Sequence, residues 1–309
     1  MVRPRVSLII GVLLAGLLLS GCGSNSKKVE GSKKPLVVTT SAIVGDLVRG
    51  LGGESIEVSL LVPNGYDSHS YEPKPSELAL LSEADLIVLP DAGLNDVITG
   101  LVKLSGDSER ILDLNAASLS KDEFIYREAD NASSYNPHTW TSPLLLAKWL
   151  TPLAEEIIAL KGVDGLLVER NLAGMLTEIE LLDAEIRESI SKIKVENRKL
   201  VVYHDAWVYF GREYNIPIIG AIQAVTFAEP SASELSAMAQ QIRAEKVPAF
   251  FGSEVFPSDV LEALEKETGA LYIPNLADDM LPGEIGDATH SYIGMMRANL
   301  ALMAKGLVG

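Results

Sequence analysis

Short apolar runs alternate with amphipathic stretches along the chain from about residue 35 onwards. The runs have the length of buried strands, and the stretches between them carry apolar residues at the three-or-four spacing of helices. The predicted strands cover residues 36–40, 60–62, 86–90 and 111–114, and the predicted helices between them cover residues 42–51 and 76–84. Alternation of this kind is typical of an α/β layer with a mainly parallel sheet.

The same rhythm returns in the last third of the chain. Predicted strands cover residues 200–204, 216–220, 249–252 and 271–273, and predicted helices cover residues 231–245, 257–268 and 291–305. The pattern therefore predicts two Rossmann-like α/β lobes, each with a mainly parallel sheet.

Between the lobes lies the longest helical pattern, over residues 164–194. Its apolar positions recur at helical spacing: Leu172, Leu176, Ile179, Leu182, Ile186, Ile190 and Ile193. A continuous helix of this length extends about 45 Å, and it is either a surface helix of one lobe or a rigid strut between the two. The predicted domains are a first lobe over residues 35–162, a linking helix over residues 163–197 and a second lobe over residues 198–309.

The N-terminus has the features of a secretory leader. Two arginines precede an apolar stretch over residues 6–19, and small residues lead up to Cys22, the only cysteine of the chain. The stretch is shorter than the roughly 20 residues of a membrane span, so residues 1–21 are predicted to be a cleaved signal peptide. The residues around Cys22 resemble a bacterial lipobox. We therefore expect a lipid on Cys22, a flexible tether over residues 22–34 and an extracytoplasmic protein anchored to the cell membrane.

Composition narrows the class of ligand. With 47% hydrophobic and 22% charged residues, the 309-residue chain can bury a full core and is long enough for two domains. Its formal charge of −16 argues against nucleic-acid binding, because proteins that bind nucleic acids need a basic surface to contact the phosphates. An acidic balance suits a cationic ligand, and it equally suits a surface that only aids solubility.

Three of the four histidines occupy similar positions. His69 lies in a loop rich in Pro and Gly between a predicted strand and a predicted helix. His138 lies in the loop just before a helix whose first residues are Ser142 and Pro143. His204 ends a predicted strand, and ligands of open α/β sheets gather at such strand ends.

A carboxylate is the expected complement of these imidazoles. Three imidazoles and one carboxylate suit a four-coordinate zinc ion, and the carboxylate offsets part of its charge. Asp278 and Asp279 are the candidates, because they follow the predicted strand at residues 271–273.

Five segments resemble the metal-binding lipoproteins of the zinc and manganese ABC importer family. They are HSYEPKPSEL, NPHTW, YHDAWVYF, AEPSASEL and HSYIGMMRANL, in this order. The resemblance implies two α/β lobes joined by one long helix, with a metal ion in the cleft between them and a membrane permease as partner. It implies the ligands His69, His138, His204 and Asp279, with Asp278 as the alternative to Asp279. We expect a monomer.

Metal identity depends mainly on His204. In the family that the chain resembles, a histidine at this position is commoner in zinc binders, whereas manganese binders tend to carry a carboxylate. Zinc is therefore the favoured ion. Many zinc members also have a His-rich loop between the first two ligands, but residues 122–136 contain no histidine, which keeps manganese open. Affinity is expected to fall below about pH 6, as imidazoles become protonated.

The alternative from another class is a secreted zinc hydrolase. Catalytic zinc usually keeps an open position for water, often beside a His-Glu-x-x-His helix, and the sequence has no such motif. It also lacks the Gly-x-Ser-x-Gly elbow and the Gly-rich loops of nucleotide-binding enzymes. We therefore expect a binding protein and no enzymatic activity.

Overall fold

The computed structural model describes residues 33–91, 93–105, 108–126, 134–223, 230–254 and 259–308. The predicted signal peptide, Cys22 and nearly all of the predicted tether lie outside the described residues. Within the described ranges, no helix combines the length and the apolar composition that a membrane span needs.

Two four-stranded parallel sheets form the frame of the protein. The first contains β1 (Leu36–Thr39), β2 (Glu57–Leu60), β3 (Leu86–Leu89) and β4 (Ile111–Asp113) in the order β2-β1-β3-β4. The second contains β5 (Leu200–His204), β6 (Ile218–Gln223), β7 (Ala249–Ser253) and β8 (Leu271–Leu276) in the order β6-β5-β7-β8. The prediction of two parallel-sheet α/β lobes is confirmed.

Helices connect and flank the strands. They are α1 (Ala42–Gly52), α2 (Pro75–Glu83), α3 (Asp96–Leu104), α4 (Leu114–Ser118), α5 (Pro143–Ala159), α6 (Gly165–Ser191), α7 (Val208–Tyr214), α8 (Ala232–Glu245), α9 (Asp259–Thr268) and α10 (Tyr292–Leu307). The predicted helices agree with this list within a few residues, except that the predicted start of α9 lies outside the described residues. Three short helices, α3, α4 and α7, were not predicted.

Two predicted strands differ in position from the observed ones: the strand at residues 216–220 corresponds to β6, two to three residues later, and the strand at residues 60–62 overlaps β2 only at Leu60. The apolar run at residues 60–62 suggested a strand there, but β2 ends at Leu60 and begins at Glu57. β2 is an edge strand paired only with β1, so its exposed Glu57 interrupts no core. Leu61 and Val62 are buried where the chain leaves the sheet. Their apolar character therefore reflects packing beyond the strand rather than strand pairing.

Alternate strand residues face two different cores. In β1, Val37 belongs to a large central core, whereas Leu36 and Val38 pack into a smaller outer core. In β5, Val202 belongs to the same central core and Val201 packs into the outer core of the second lobe. The two lobes therefore share one continuous hydrophobic core.

The long helix α6 contributes to this shared core. Asp164 caps its first turn by accepting a hydrogen bond from the Leu167 N–H at 3.2 Å. Its 27 residues extend about 40 Å, and α6 packs against α1, α5 and α10. Because α10 follows the second sheet, α6 packs against elements that belong to both halves of the fold.

Neighbouring leucines in α6 allow a matched test of this core. Leu182 is fully buried and Leu181 is 50% exposed. We expect Leu182→Ala to lower the free energy of unfolding by about 2–5 kcal/mol, because it leaves a cavity in the shared core. Leu181→Ala should cost less than about 1 kcal/mol. Denaturant unfolding of both variants measures the difference, and equal costs would contradict the assigned packing.

Candidate metal centre

His69 lies in the loop between β2 and α2. The Asp67 carboxylate accepts a hydrogen bond from the His69 backbone N–H at 2.9 Å, which holds the turn that presents the imidazole. The Asn95 side chain caps α3 and donates to the carbonyls of Ser68 and Tyr71, on either side of the histidine. The loop is thus held from both ends by one buried amide.

His138 is completely buried and oriented by its neighbour Asn136. The Asn136 Oδ1 atom accepts hydrogen bonds from the His138 backbone N–H at 3.0 Å and from the ring Nδ1 at 2.7 Å. With Nδ1 protonated, Nε2 is the nitrogen with a lone pair available to a cation, and it faces the other histidines. Asn115, buried behind the loop, donates to the Pro137 carbonyl at 3.2 Å and accepts from the Thr139 hydroxyl.

His204 is the last residue of β5, where the strand register places it opposite Gln223 at the end of β6. The carboxyl ends of parallel strands direct side chains towards the same edge of a sheet, which explains its position in the site. Its backbone carbonyl accepts from the Ala206 N–H at 2.9 Å, and the Thr141 hydroxyl donates to the Ala206 carbonyl at 3.0 Å. The His204 turn is therefore linked to the turn that carries His138.

Asp278 and Asp279 follow β8 in a loop held by Glu254. The Glu254 Oε1 atom accepts hydrogen bonds from three successive backbone N–H groups, those of Asp278, Asp279 and Met280, at 3.0–3.1 Å. Asn299 of α10 forms two further hydrogen bonds with the backbone of Ala277. These contacts turn both aspartate side chains into the interior, where they are 2% and 5% exposed.

Three loops and the end of β5 bring three imidazoles and a carboxylate together. One potential ligand atom each from His69, His138, His204 and Asp279 lies within 4.8 Å of the other three. The Nε2 atoms of His69 and His138 are 2.9 Å apart, and His69 Nε2 is 3.4 Å from Asp279 Oδ2. Ligand atoms around a tetrahedral zinc ion are about 3.3 Å apart, so the two shorter separations are close to those of such an ion and the wider ones, within 4.8 Å, would close around it.

Asp278 lies beside this group. Its Oδ1 atom is 3.4 Å from His204 Nδ1, closer than the 3.9 Å that separates the same nitrogen from Asp279 Oδ2. The buried Oδ1 atom of Asp279 accepts no hydrogen bond from the described part of the chain, and the Oδ1 atom of Asp278 has the His204 ring as its long-range partner. Buried oxygens normally have a partner, so the Asp279 pattern is the one expected of an oxygen that faces a cation.

Burial and close charges perturb the pKa values of the site. Burial lowers the pKa of His204, but the negative charges of Asp278, Asp279 and Glu254 outweigh it and raise that pKa to about 9. Burial, with the charges of the two aspartates, raises the pKa of Glu254 to about 8. Burial opposes ionisation of Asp279 too, but the nearby His69 imidazole outweighs it and holds the pKa of that carboxyl below its usual range. Without a metal ion the site therefore holds protons at neutral pH.

Five of the predicted metal-site residues lie close together in the structure. The structure brings together His69, His138, His204 and Asp279, and places Asp278 against His204. The fourth histidine, His290, lies apart, with its ring Nδ1 3.0 Å from the Gly283 carbonyl. Sequence analysis missed Asn136 and Glu254. Asn136 stands two residues before a candidate ligand, which was a usable signal, whereas nothing in the local sequence marks Glu254.

Comparisons with known proteins agree with this arrangement. The profile of a family described as "Zinc-uptake complex component A periplasmic" matches residues 37–306. The manganese ABC transporter substrate-binding lipoprotein PsaA of Streptococcus pneumoniae is 30% identical over 300 residues, which cover 96% of this chain and 95% of PsaA. The iron ABC transporter substrate-binding lipoprotein MtsA of Streptococcus pyogenes serotype M1 is 28% identical over 310 residues, or 98% of each chain.

Solved structures give the same result for the fold. The periplasmic zinc-binding protein TroA from Treponema pallidum superposes with a TM-score of 0.81 at 25% identity, covering 88% of this chain and 99% of TroA. A crystal structure of ZnuA superposes with a TM-score of 0.74 at 27% identity, covering 89% of this chain and 99% of ZnuA. Family membership also rules out the hydrolase alternative, because these proteins bind a transported substrate and catalyse no reaction. The chain therefore belongs to the zinc-uptake component A family, the metal-binding substrate-binding proteins of ABC importers.

Proposed function

We propose that this protein captures one divalent transition-metal ion, zinc in preference to manganese, and delivers it to the permease of its importer. The ligands are His69, His138, His204 and Asp279. The observation that carries the proposal is the convergence of these four side chains to within 4.8 Å. An ion at their centre gains three imidazole nitrogens and a carboxylate, a donor set that suits zinc.

The ion also resolves the electrostatic problem of the site. Buried carboxylates are costly unless they are paired, and the two buried aspartates, Asp278 and Asp279, lie within 3.4 Å of an imidazole nitrogen of the site. A divalent cation compensates these charges. The ion is held between side chains from both lobes, so its binding draws the loops that carry them together around it.

Manganese is the second candidate. Asp278 supplies an additional carboxylate 3.4 Å from His204 Nδ1, and oxygen-rich surroundings favour manganese over zinc. The names of the relatives point in different directions, because PsaA is named for manganese, MtsA for iron and TroA for zinc. We give zinc precedence because the imidazoles outnumber the carboxylate among the four converging residues.

The remaining parts of the proposal concern the whole molecule. A lipid on Cys22 and a tether over residues 22–34 would keep the protein on the outer side of the cell membrane, beside its permease. The relatives PsaA and MtsA are named lipoproteins, which supports this arrangement. We further propose that the protein acts as a monomer, with lobes over residues 35–162 and 198–309 joined by the helical segment over residues 163–197.

Replacing the carboxylate ligand tests the site directly. We expect Asp279→Asn to weaken zinc binding by about 100-fold or more, because it removes the ligand charge while keeping the side chain's size; even partners outside the ligand set are typically worth 10- to 100-fold. His290→Ala, which changes a histidine outside the cluster, should bind like the wild type. Isothermal titration calorimetry should give one site per chain. A wild-type protein with no site tighter than micromolar would refute the assignment.

Metal preference is tested at His204. We expect His204→Glu to lower the bound ratio of zinc to manganese by about tenfold, because it replaces an imidazole with an oxygen ligand. The ratio is measured by elemental analysis after competition of both ions at equal concentration. His290→Glu is the matched control and should leave the ratio unchanged. The selectivity argument fails if His204→Glu retains the wild-type ratio.

Metal binding should release protons. With its pKa raised to about 9, His204 is protonated at neutral pH, and it must lose that proton to become a ligand. Apparent affinity should therefore increase as the pH rises from 6 towards about 9, a higher range than free imidazoles would give. Calorimetry in two buffers with different ionisation enthalpies counts the released protons. An enthalpy that does not depend on the buffer would show that no proton is displaced.

A further inference from the structure

We propose that Asn64 is a latch residue, whose side-chain amide holds two ligand-bearing loops together and slows release of the bound ion. The inference rests on the metal site proposed above and assigns a role to a residue outside the ligand set. Asn64 lies in the loop that carries His69, and its partner Leu281 lies two residues after Asp279.

The Asn64 side chain forms two hydrogen bonds with the Leu281 backbone, one through its NH2 group and one through its carbonyl oxygen. Its Nδ2 atom donates to the Leu281 carbonyl at 2.9 Å, and its Oδ1 atom accepts from the Leu281 N–H at 2.9 Å. The paired bonds fix the orientation of the amide, as two neighbouring bonds do in a strand pair. They join residues 217 positions apart in the chain, one from each lobe.

A second hydrogen bond holds the aspartate loop, and comparison with it shows why we assign the latch to Asn64. The Trp140 Nε1 atom donates to the Asp278 carbonyl, which ties the aspartate loop to the turn carrying His138. Trp140 is 3% exposed and sits within the shared core, so water has little access to its bond. Asn64 is only partly buried and is followed by the exposed Gly65 and Tyr66. The Asn64 hydrogen bonds are therefore the more accessible of the two connections.

Release of the ion requires the Asp279 carboxylate to separate from the His69 imidazole, which lies 3.4 Å away. The Asn64 pair joins a side chain of the loop that carries His69 to the backbone of the loop that carries Asp279. It must therefore break, or the loops must deform, before the ligands part. Breaking two hydrogen bonds that water replaces only incompletely adds to the barrier of release. The latch acts on the dissociation rate more than on the geometry of the bound ion.

Two substitutions at Asn64 distinguish its hydrogen bonds to Leu281 from the packing of its side chain. Asn64→Ala removes both bonds. Asn64→Asp keeps the size of the side chain and the acceptor, but it loses the donor and places a carboxylate against the Leu281 carbonyl. Asn171→Asp is the matched control, because Asn171 donates a single bond to the Leu51 carbonyl at 2.9 Å, between α6 and α1.

The measurement is the rate at which zinc-loaded protein loses its ion to an excess of chelator in a stopped-flow instrument. We expect release to be roughly tenfold faster from Asn64→Ala and Asn64→Asp than from the wild type, and unchanged in Asn171→Asp. The zinc X-ray absorption spectrum and the stoichiometry of one ion should be the same in all four proteins, because Asn64 is not a ligand.

The outcomes distinguish the latch from the site on which it depends. A wild-type protein that binds no zinc refutes the proposed function itself. If the wild type binds zinc and both Asn64 variants release it at the wild-type rate, the latch is refuted and the metal site stands. An altered absorption spectrum in the Asn64 variants would also refute the latch, since it would place the effect in the coordination of the ion. If Asn64→Ala does not fold, Asn64→Asp alone decides between these results.

Discussion

Charged groups withdrawn from water must compensate one another, and this constraint governs the centre of the molecule. Asp278 and Asp279 place two buried carboxyl groups beside the imidazoles, and Glu254 adds a third carboxyl group behind their loop. Glu254 is offset by three backbone N–H groups, and the raised pKa of His204 keeps a proton among the carboxylates. A divalent cation and protons are thus alternative ways of balancing the same charges, so the site is suited to exchange one for the other.

Neutral amides support this centre from outside. Three ligand-bearing loops are held by four asparagines that bond to backbone or to an imidazole. Asn95 holds the His69 loop, Asn136 and Asn115 hold the His138 loop, and Asn299 holds the aspartate loop. An amide supplies both a donor and an acceptor without adding charge. The loops are therefore fixed in place while the electrostatic balance of the centre is left to the carboxylates, the imidazoles and the ion.

Much of the frame could be predicted from the sequence, because buried parallel strands are uniform apolar runs and α6 has a long, regular stripe. The same reasoning placed β2 too late in the chain. An edge strand carries exposed residues such as Glu57, and the apolar run continues past the end of the strand. Short helices such as α4 have too few residues to show a period. The candidate ligands were visible because histidines are rare in this chain and three of them sit in loops or at strand ends. Glu254 was not, because its role depends on backbone N–H groups more than 20 residues away, which no local pattern reveals.

The single core beneath both lobes limits how the protein can move. Swinging the lobes apart as rigid bodies would expose Leu182, Ile186 and their neighbours, at about 25 cal/mol for each Å² of apolar surface. Rearranging the loops around the ion exposes far less. A membrane receptor would then distinguish a loaded carrier from an empty one by the contours of a few surface loops, and hardly by the angle between its halves.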